Sequence, residues 1–238
     1  MGSFAILTVL TLSAFGAPVI APHNPYDTTT INIMDAELPP VWMDGAESVF
    51  PLGTDAQGRD MLSTMLYGMR ISLIIGVCAV ALQATIGVVL GLIAGYRGGR
   101  IDNFLMRLAD VQLSFSTLMV AIFLSAIFQA IFGVAAFENM AVPFLVLVIG
   151  IAEWPQYART VRASVLAEKK KEYVEAARVI GLPSGRIMWR HILPNTMSPL
   201  MVLSTVQVAH AIMSEAALSF LGRSEEHTSE LQSPTSIS

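Results

Sequence analysis

Polar side chains recur in the last long apolar segment of the sequence, residues 199–221. They are Ser204, Gln207, His210, Ser214 and Glu215. The first four follow steps of three and four residues, so a helix would place them on one face, with Glu215 on a neighbouring face. Such groups could line the path of a polar solute, or they could hydrogen-bond to another helix, and the sequence leaves both roles open. One histidine and one glutamate are too few ligands for a metal site.

The carboxylate of Glu215 limits where this part of the helix can point. An ionised carboxylate at the centre of a bilayer costs about 3 kcal/mol or more. We therefore expect Glu215 to face protein or water rather than lipid.

Residues 172–194 form a polar stretch between two apolar segments. Its first part consists of good helix formers, and Gly181 can take the left-handed conformation that ends a helix. Pro183 suits the first turn of a second helix, which Pro194 is expected to end. Two short helices held between membrane segments could transmit a push from a soluble partner. An ordinary amphipathic surface loop is the alternative.

Three glycines, Gly87, Gly91 and Gly95, lie four residues apart in another apolar segment. Small residues at this spacing allow a second helix to approach closely. Glycine is also common in membrane helices for no such reason. We favour helix packing as their role.

The composition predicts a membrane protein. Hydrophobic residues make up 54% of the 238 residues and charged residues only 13%, whereas soluble domains carry about 25% charge. A helix needs about 20 apolar residues to cross a bilayer. Single strands cannot satisfy their backbone groups in lipid, so each crossing must be helical. The predicted fold is an all-α polytopic helix bundle with five spans, namely residues 3–22, 71–96, 113–133, 140–154 and 199–221.

Three of these segments have features of their own. The first segment could instead be a signal peptide, but it lacks a basic start. The fourth is short and could continue as a helix beyond the bilayer. Cys78, within the second, is expected to be a small buried apolar side chain.

The distribution of charge predicts the orientation. Residues 23–70 are rich in Asp and Glu, whereas residues 97–107 and 153–190 are rich in Arg and Lys. Basic residues stay on the cytoplasmic side. The acidic segment is therefore expected outside and the two basic segments inside, which alternates correctly with five spans.

Other classes of function find little support. The mild net charge of -4 and the tethering of residues 172–194 between spans argue against nucleic acid as a partner. No Gly-rich turn followed by Gly-Lys-Ser or Gly-Lys-Thr is present, so ATP is expected to bind to partner subunits and this chain to hold no cofactor. No cluster of residues suits an enzyme.

The residues Glu175-Ala176-Ala177, followed by Gly181 and Leu193-Pro194, resemble the EAA loop of ABC importer permeases. A wider ordered set resembles the dipeptide, oligopeptide and nickel permease family, second-subunit type. The set comprises Pro51-Leu52-Gly53-Thr54-Asp55, Gly58-Arg59-Asp60, Tyr67-Gly68, Arg70-Ile71-Ser72-Leu73, Ala94-Gly95-Tyr96, Met106-Arg107-Leu108-Ala109-Asp110, His191-Ile192-Leu193-Pro194 and Glu215-Ala216-Ala217-Leu218-Ser219-Phe220-Leu221-Gly222.

This resemblance implies a permease subunit in the bacterial inner membrane. Its partners would be a second permease subunit, two ATPase subunits and a periplasmic or lipid-anchored substrate-binding protein. The resemblance also implies a loop that couples to the ATPases, formed by Glu175, Ala176, Ala177, Gly181, Ile187, His191, Leu193 and Pro194. The substrate could be a dipeptide, an oligopeptide, a nickel complex or another small solute.

The family pattern has six spans in this subunit, one more than the sequence predicts. Residues 1–222 are therefore interpreted as a permease domain that is incomplete at both ends. Residues 223–238 are polar, unlike the family and expected not to be native. A secondary transporter or channel without ATPase partners is the alternative function.

Overall fold

The computed structural model describes residues 2–25, 27 and 33–232. Regular structure in these residues is helical, apart from one antiparallel bridge between Thr54 and Asp60. The prediction of an all-α membrane protein is therefore confirmed. The chain divides into two compact units, Met1–Ile74 and Ile75–Ser238, and each is described by itself.

Nine α-helices are present in the described residues. They are α1 (Gly2–Phe15), α2 (Ala17–Ile20), α3 (Met61–Arg97), α4 (Gly99–Leu113), α5 (Thr117–Phe132), α6 (Val134–Glu168), α7 (Glu172–Val179), α8 (Ser184–Ile187) and α9 (Met197–Gln232). A 3-10 turn covers Ile33–Asp35. A π-helical segment, Met188–Ile192, and a 3-10 turn, Leu193–Thr196, join α8 to α9. Of the predicted polar tail, residues 233–238 lie outside the described residues.

In the described residues, fewer helices are long and apolar enough to cross a bilayer than the five spans that the sequence predicts. Three helical stretches are long and apolar enough to cross a bilayer: Met61–Arg97, Met140–Glu168 and Ser184–Phe220. They contain the predicted second, fourth and fifth spans, and the fourth continues well beyond residue 154. The helices α4 and α5 meet at 85° and can count as one further span. The described part of the chain therefore offers at most four spans.

The predicted first span, residues 3–22, is broken into two helices. Its longer apolar helix is Ala5–Phe15, which is shorter than a bilayer requires. The break lies at Gly16, and Pro18 occupies the first turn of α2. Because proline has no backbone N–H, it cannot continue the hydrogen-bond ladder of the preceding helix.

The first unit folds a turn against the start of α3. Asp55 Oδ1 accepts hydrogen bonds from the backbone N–H groups of Gln57 and Arg59, both at 2.9 Å. Burial alone would raise the pKa of the Asp55 carboxyl, but hydrogen bonds from Arg59 and Gln57 outweigh it and hold the pKa below its usual value. Asp60 caps α3, because its Oδ2 accepts from the Ser63 backbone N–H at 3.0 Å.

In the second unit, α3 and α6 pack closely along the predicted glycines. A Cβ added at Gly87 would lie 2.3 Å from the Tyr157 Cβ, and one at Gly91 would lie 2.5 Å from the Ala158 carbonyl oxygen. A Cβ at Gly95 would lie 2.8 Å from a Val165 side-chain atom. Real Cβ atoms do not tolerate such distances, so the two backbones could not approach this closely with larger residues.

Ion pairs join α6 to α4. The Arg162 guanidinium donates to both carboxylate oxygens of Asp102, with an Nη2–Oδ2 distance of 2.6 Å. One helical turn earlier in α6, Arg159 pairs with Asp110 of α4. Bidentate pairs of this kind fix orientation as well as distance, so α4 is held along the second half of α6.

Candidate functional site

Two groups of residues are candidates for function: the connecting segment, defined as residues 172–194, and a polar cluster between helices. In the connecting segment, α7 ends in two characteristic hydrogen bonds. The Gly181 N–H donates to the Arg178 carbonyl at 3.0 Å, and the Leu182 N–H donates to the Ala177 carbonyl at 3.1 Å. This pair is the Schellman motif. Gly181 has φ +83°, as the sequence predicts for a residue that ends a helix in the left-handed conformation.

The second half of the connecting segment differs from the prediction at both prolines. Pro183 has an extended backbone and precedes α8, so it does not lie in the first turn. Pro194 does not end the helix either. The chain changes from α to π to 3-10 geometry and continues into α9, with Pro194 in the first turn of the 3-10 segment, where its missing N–H matters least.

The helix α7 buries one face and exposes the other. Val174 is fully buried and Ala177 nearly so. Glu175 and Ala176 are exposed. Beyond them the apolar side chains of Val179 and Ile180 are 87% and 77% exposed. This face therefore combines a carboxylate with uncovered apolar surface.

The remaining predicted residues of the connecting segment lie at different depths. Ile187 is buried, His191 and Leu193 are half-buried, and Pro194 is exposed. Ile187 and the neighbouring Ile192 anchor α8 and the π-helical segment from within.

Hydrogen bonds tie the connecting segment to the long helices. The Tyr173 hydroxyl donates to the Glu168 carboxylate at the end of α6. The Asn195 side-chain amide donates to the Tyr173 hydroxyl at 3.2 Å and to the His191 carbonyl at 2.8 Å. Burial raises the pKa of the Tyr173 hydroxyl, and hydrogen bonding to Glu168 raises it further, so Tyr173 remains a neutral donor.

Two cations connect the same region to the end of α3. The Arg178 guanidinium lies over the Tyr96 ring, 5.6 Å from its centroid, within the range of a cation–π interaction. The Lys169 ammonium donates to the Gly95 carbonyl at 2.9 Å. The connecting segment therefore contacts α3, α6 and the 3-10 turn that precedes α9.

The polar cluster centres on Glu153 of α6, whose side chain is only 7% exposed. The Thr117 hydroxyl donates to its Oε1 at 2.6 Å, and the Gln156 amide donates to its Oε2 at 2.8 Å. The Gln207 amide lies 3.5 Å from Oε2 and donates to the Gln83 carbonyl oxygen at 3.0 Å. Three helices, α5, α6 and α9, meet at this carboxylate, and α3 joins them through the bond between Gln83 and Gln207.

The predicted polar face of α9 is divided between buried and exposed groups. Ser204 accepts a hydrogen bond from the Tyr157 hydroxyl at 3.0 Å. Gln207 and Ser214 are buried, and Glu215 is buried with the Ser219 hydroxyl bonded to it at 2.9 Å. His210 is 55% exposed at its side chain. The structure thus shows interhelical bonding at Ser204 and Gln207, while His210 lies open.

Sequence reasoning missed Glu153 as a buried group. Glu153 lies at the end of the predicted fourth span, 140–154, and was counted as the first residue of the basic segment because several Arg residues follow it. Gln83, a polar residue inside an apolar run, indicated a polar contact between helices, but nothing in the local sequence pointed to Glu153 as its centre. Cys78 was predicted to be buried and is exposed, because its side chain points away from the packed face of α3.

Comparison with known proteins identifies the family. The family model described as "Binding-protein-dependent transport system inner membrane component" matches residues 87–237. The di/tripeptide transport system permease protein DppC of Pseudomonas aeruginosa is 35% identical over 93% of this chain and 69% of its own length.

Two further relatives agree. The dipeptide transport system permease protein DppC of Haemophilus influenzae is 36% identical over 93% of this chain and 70% of its own length. The oligopeptide transport system permease protein OppC of Bacillus subtilis is 35% identical over 93% and 67%. These matches confirm the resemblance found in the sequence. The chain belongs to the family of inner-membrane components of binding-protein-dependent transport systems, as a permease subunit rather than an enzyme.

Proposed function

We propose that this permease subunit imports dipeptides, oligopeptides or related small solutes across the bacterial inner membrane. The relatives described above are peptide transport permeases, which supports this class of substrate. The subunit would act with a second permease subunit, two ATPase subunits and a periplasmic or lipid-anchored substrate-binding protein. ATP would bind to the ATPase subunits and not to this chain.

The exposed face of α7 carries the argument for coupling to the ATPases. Exposed apolar side chains that adjoin a charged residue are typical of protein interaction sites. Val179 and Ile180 form such a surface beside Glu175, at the end of α7. The Schellman motif at Gly181 fixes the position of this surface relative to α8. We infer that the ATPase contacts α7 through these residues.

The connections of α7 supply a route from this contact to the membrane helices. Tyr173 links it to α6 and, through Asn195, to the 3-10 turn that continues into α9. Arg178 links it to α3 through Tyr96. A displacement of α7 by the ATPase would therefore act on three long helices at once. The π-helical segment is a point where such a helix can adjust, because π-helical turns interrupt the regular ladder.

We propose that the exposed part of the polar face of α9, at His210, borders the substrate path. His210 lies open, and an exposed polar group on a membrane helix is expected to face protein or water. The packed side of α9 would then support this face through Ser204, Gln207, Ser214 and Glu215.

The test of this proposal uses the complete importer in proteoliposomes. Replacing Val179 and Ile180 with Ser removes the apolar surface and keeps Gly181. We expect co-purification of the ATPases and ATP-dependent peptide uptake to fall at least about tenfold. Val49→Ser is the matched control, because Val49 is also exposed but lies in the acidic segment.

A secondary transporter or channel would behave differently in this experiment. Its uptake would follow an ion gradient and would continue without ATP or ATPase subunits. Uptake that persists under those conditions would contradict the proposal.

A further inference from the structure

The carboxylate of Glu153 is buried among neutral hydrogen-bond donors. Thr117, Gln156 and Gln207 donate to it from three helices. Among the described residues, His210 is the one basic side chain that comes within 4.0 Å of this carboxylate. A buried carboxylate is costly unless a cation or several hydrogen bonds compensate its charge. The polar cluster supplies the hydrogen bonds, but in the described part of the chain no Lys or Arg pairs with Glu153.

The polar cluster is accessible from outside at His210. Its Nδ1 lies 4.0 Å from Glu153 Oε1, and 55% of its side chain is exposed, against 7% for Glu153. A polar group that approaches the exposed imidazole therefore meets the carboxylate directly behind it. Nδ1 and Oε1 are also too far apart for a hydrogen bond, so the imidazole and the carboxylate do not bond to each other.

A second, independent feature shows that the cluster has unused bonding capacity. Gln83 is fully buried, and its Nε2 has no hydrogen-bond partner among the described residues. Its carbonyl oxygen is bonded to Gln207, which in turn approaches Glu153. Buried donors are nearly always satisfied in folded proteins. The unsatisfied Gln83 donor can therefore take one further acceptor beside the carboxylate, such as a carbonyl oxygen of a peptide.

We propose that Glu153 and His210 form a binding site for an ammonium group of the transported solute, such as the amino terminus of a peptide. This inference rests on the proposed function, because it names a chemical group of the solute that the permease would recognise. The carboxylate would attract the ammonium group electrostatically, and the imidazole would border its entry. An ammonium group has three N–H donors and no acceptor, which suits a carboxylate whose other neighbours are neutral.

The electrostatic part of the proposal is tested on His210→Cys in a Cys78→Ser background of the complete importer. A cationic and an anionic methanethiosulfonate reagent are compared by their rates of reaction with this cysteine. With Glu153 present, we expect the cationic reagent to be favoured. Glu153→Gln should lower the ratio of the two rates at least about tenfold, because a unit charge about 4 Å away is removed.

A matched acid-to-amide change provides the control. Glu215→Gln also removes a buried carboxylate, but Glu215 is bonded to Ser219 farther along α9. We expect it to change the ratio much less than Glu153→Gln. An unreactive cysteine would show that the site is closed to water. A ratio that Glu153→Gln leaves unchanged would show that the carboxylate does not act there. Either result overturns the proposal.

Recognition of the ammonium group is tested by protection of the same cysteine. Trialanine and its desamino analogue, propionyl-dialanine, differ only in the terminal ammonium group. With binding protein and ATP present, trialanine should slow the labelling at least about threefold more than the analogue, and Glu153→Gln should remove this difference. Equal protection, or none by either compound, overturns the proposal. The proposed function is measured separately by ATP-dependent uptake of trialanine before the cysteine is introduced, so its failure is recognised independently.

Discussion

At the scale of single residues, the backbone conformation of Gly181 decides how the connecting segment turns. Its φ of +83° lies in the left-handed region, which β-branched residues rarely adopt. Gly181→Val should strain the segment by about 1–3 kcal/mol. We expect lower ATPase co-purification and lower uptake, with normal membrane insertion.

The neighbouring Gly185 offers a control for Gly181. An added Cβ at Gly185 meets nothing within 4 Å, and its φ is not in the left-handed region. Gly185→Val should therefore retain most ATPase association. Normal transport by Gly181→Val would argue against the role of this turn in coupling.

A second prediction concerns the contact between α3 and α6. Gly91→Ala would place a Cβ 2.5 Å from the Ala158 carbonyl oxygen, so the two helices must separate. Gly68→Ala, in the same helix, meets nothing within 4 Å and improves helix propensity by about 1 kcal/mol. We expect the thermal unfolding midpoint in detergent to fall for Gly91→Ala and to stay level or rise for Gly68→Ala. Equal midpoints would contradict close packing at Gly91.

These residues also show what the sequence could predict. The left-handed turn at Gly181 follows from the intrinsic freedom of glycine between two helical patterns, which is local information. The role of Glu153 depends on Thr117 and Gln207, which are distant in sequence and reach it from other helices. Contacts of that kind are set by tertiary packing, and no local pattern marks them.

At the scale of elements, the hydroxyl of Tyr173 connects α7 to the end of α6 and to Asn195. Tyr173→Phe removes these hydrogen bonds and keeps the ring. Because the exposed face of α7 is unchanged, we expect ATPase co-purification to persist. Uptake per ATP hydrolysed should fall several-fold, since the displacement of α7 is transmitted less well. Asn195→Ala removes the other half of the same link and should act in the same direction.

Two results for Tyr173→Phe would contradict this prediction, and each has a different meaning. Loss of ATPase association would place Tyr173 at the docking surface itself. Unchanged uptake per ATP would show that Arg178 and the backbone transmit the motion without it.

The boundaries of elements were predicted less well than their types. The α-helical character of residues 172–179 follows from propensity, whereas the end expected at Pro194 did not occur. Proline breaks an α-helical ladder, but the π-helical and 3-10 turns around it rearrange the hydrogen bonds so that its missing N–H is tolerated. A rearrangement of this kind depends on neighbouring contacts, such as the buried Ile192.

At the scale of the whole molecule, hydropathy identified the long apolar helices and overestimated the first. An apolar run of sufficient length is necessary for a span, but Gly16 and Pro18 interrupt the helix within it. The 37 residues of α3 would extend about 55 Å, so this helix is longer than the roughly 30 Å of hydrocarbon. Composition thus locates the helices, while breaks and extensions come from backbone geometry.

The last prediction concerns orientation across the membrane, which follows from the charges and not from the packing. Acidic residues dominate the segment that holds Ser48, and basic residues dominate the segment that holds Ser184. Both serines are exposed. In a Cys78→Ser background, a cysteine at residue 48 should react with a membrane-impermeant thiol reagent in intact cells. A cysteine at residue 184 should react only after the membrane is opened.

This experiment does not depend on whether the first apolar segment crosses the membrane, but it does depend on the crossings between residues 48 and 184. If α1 does not cross the membrane, the start of the chain lies on the same side as residue 48, but the sides of residues 48 and 184 are unchanged. The basic segments adjoin membrane helices, where Lys and Arg exert their strongest effect on orientation. We therefore expect residues 48 and 184 on opposite sides, which requires α4 and α5 together to cross the membrane once between α3 and α6. With α3 and α6 as the only crossings between them, both residues would lie on the same side. Reaction at residue 184 but not at residue 48 in intact cells would reverse the orientation and would place α7 out of reach of cytoplasmic ATPases.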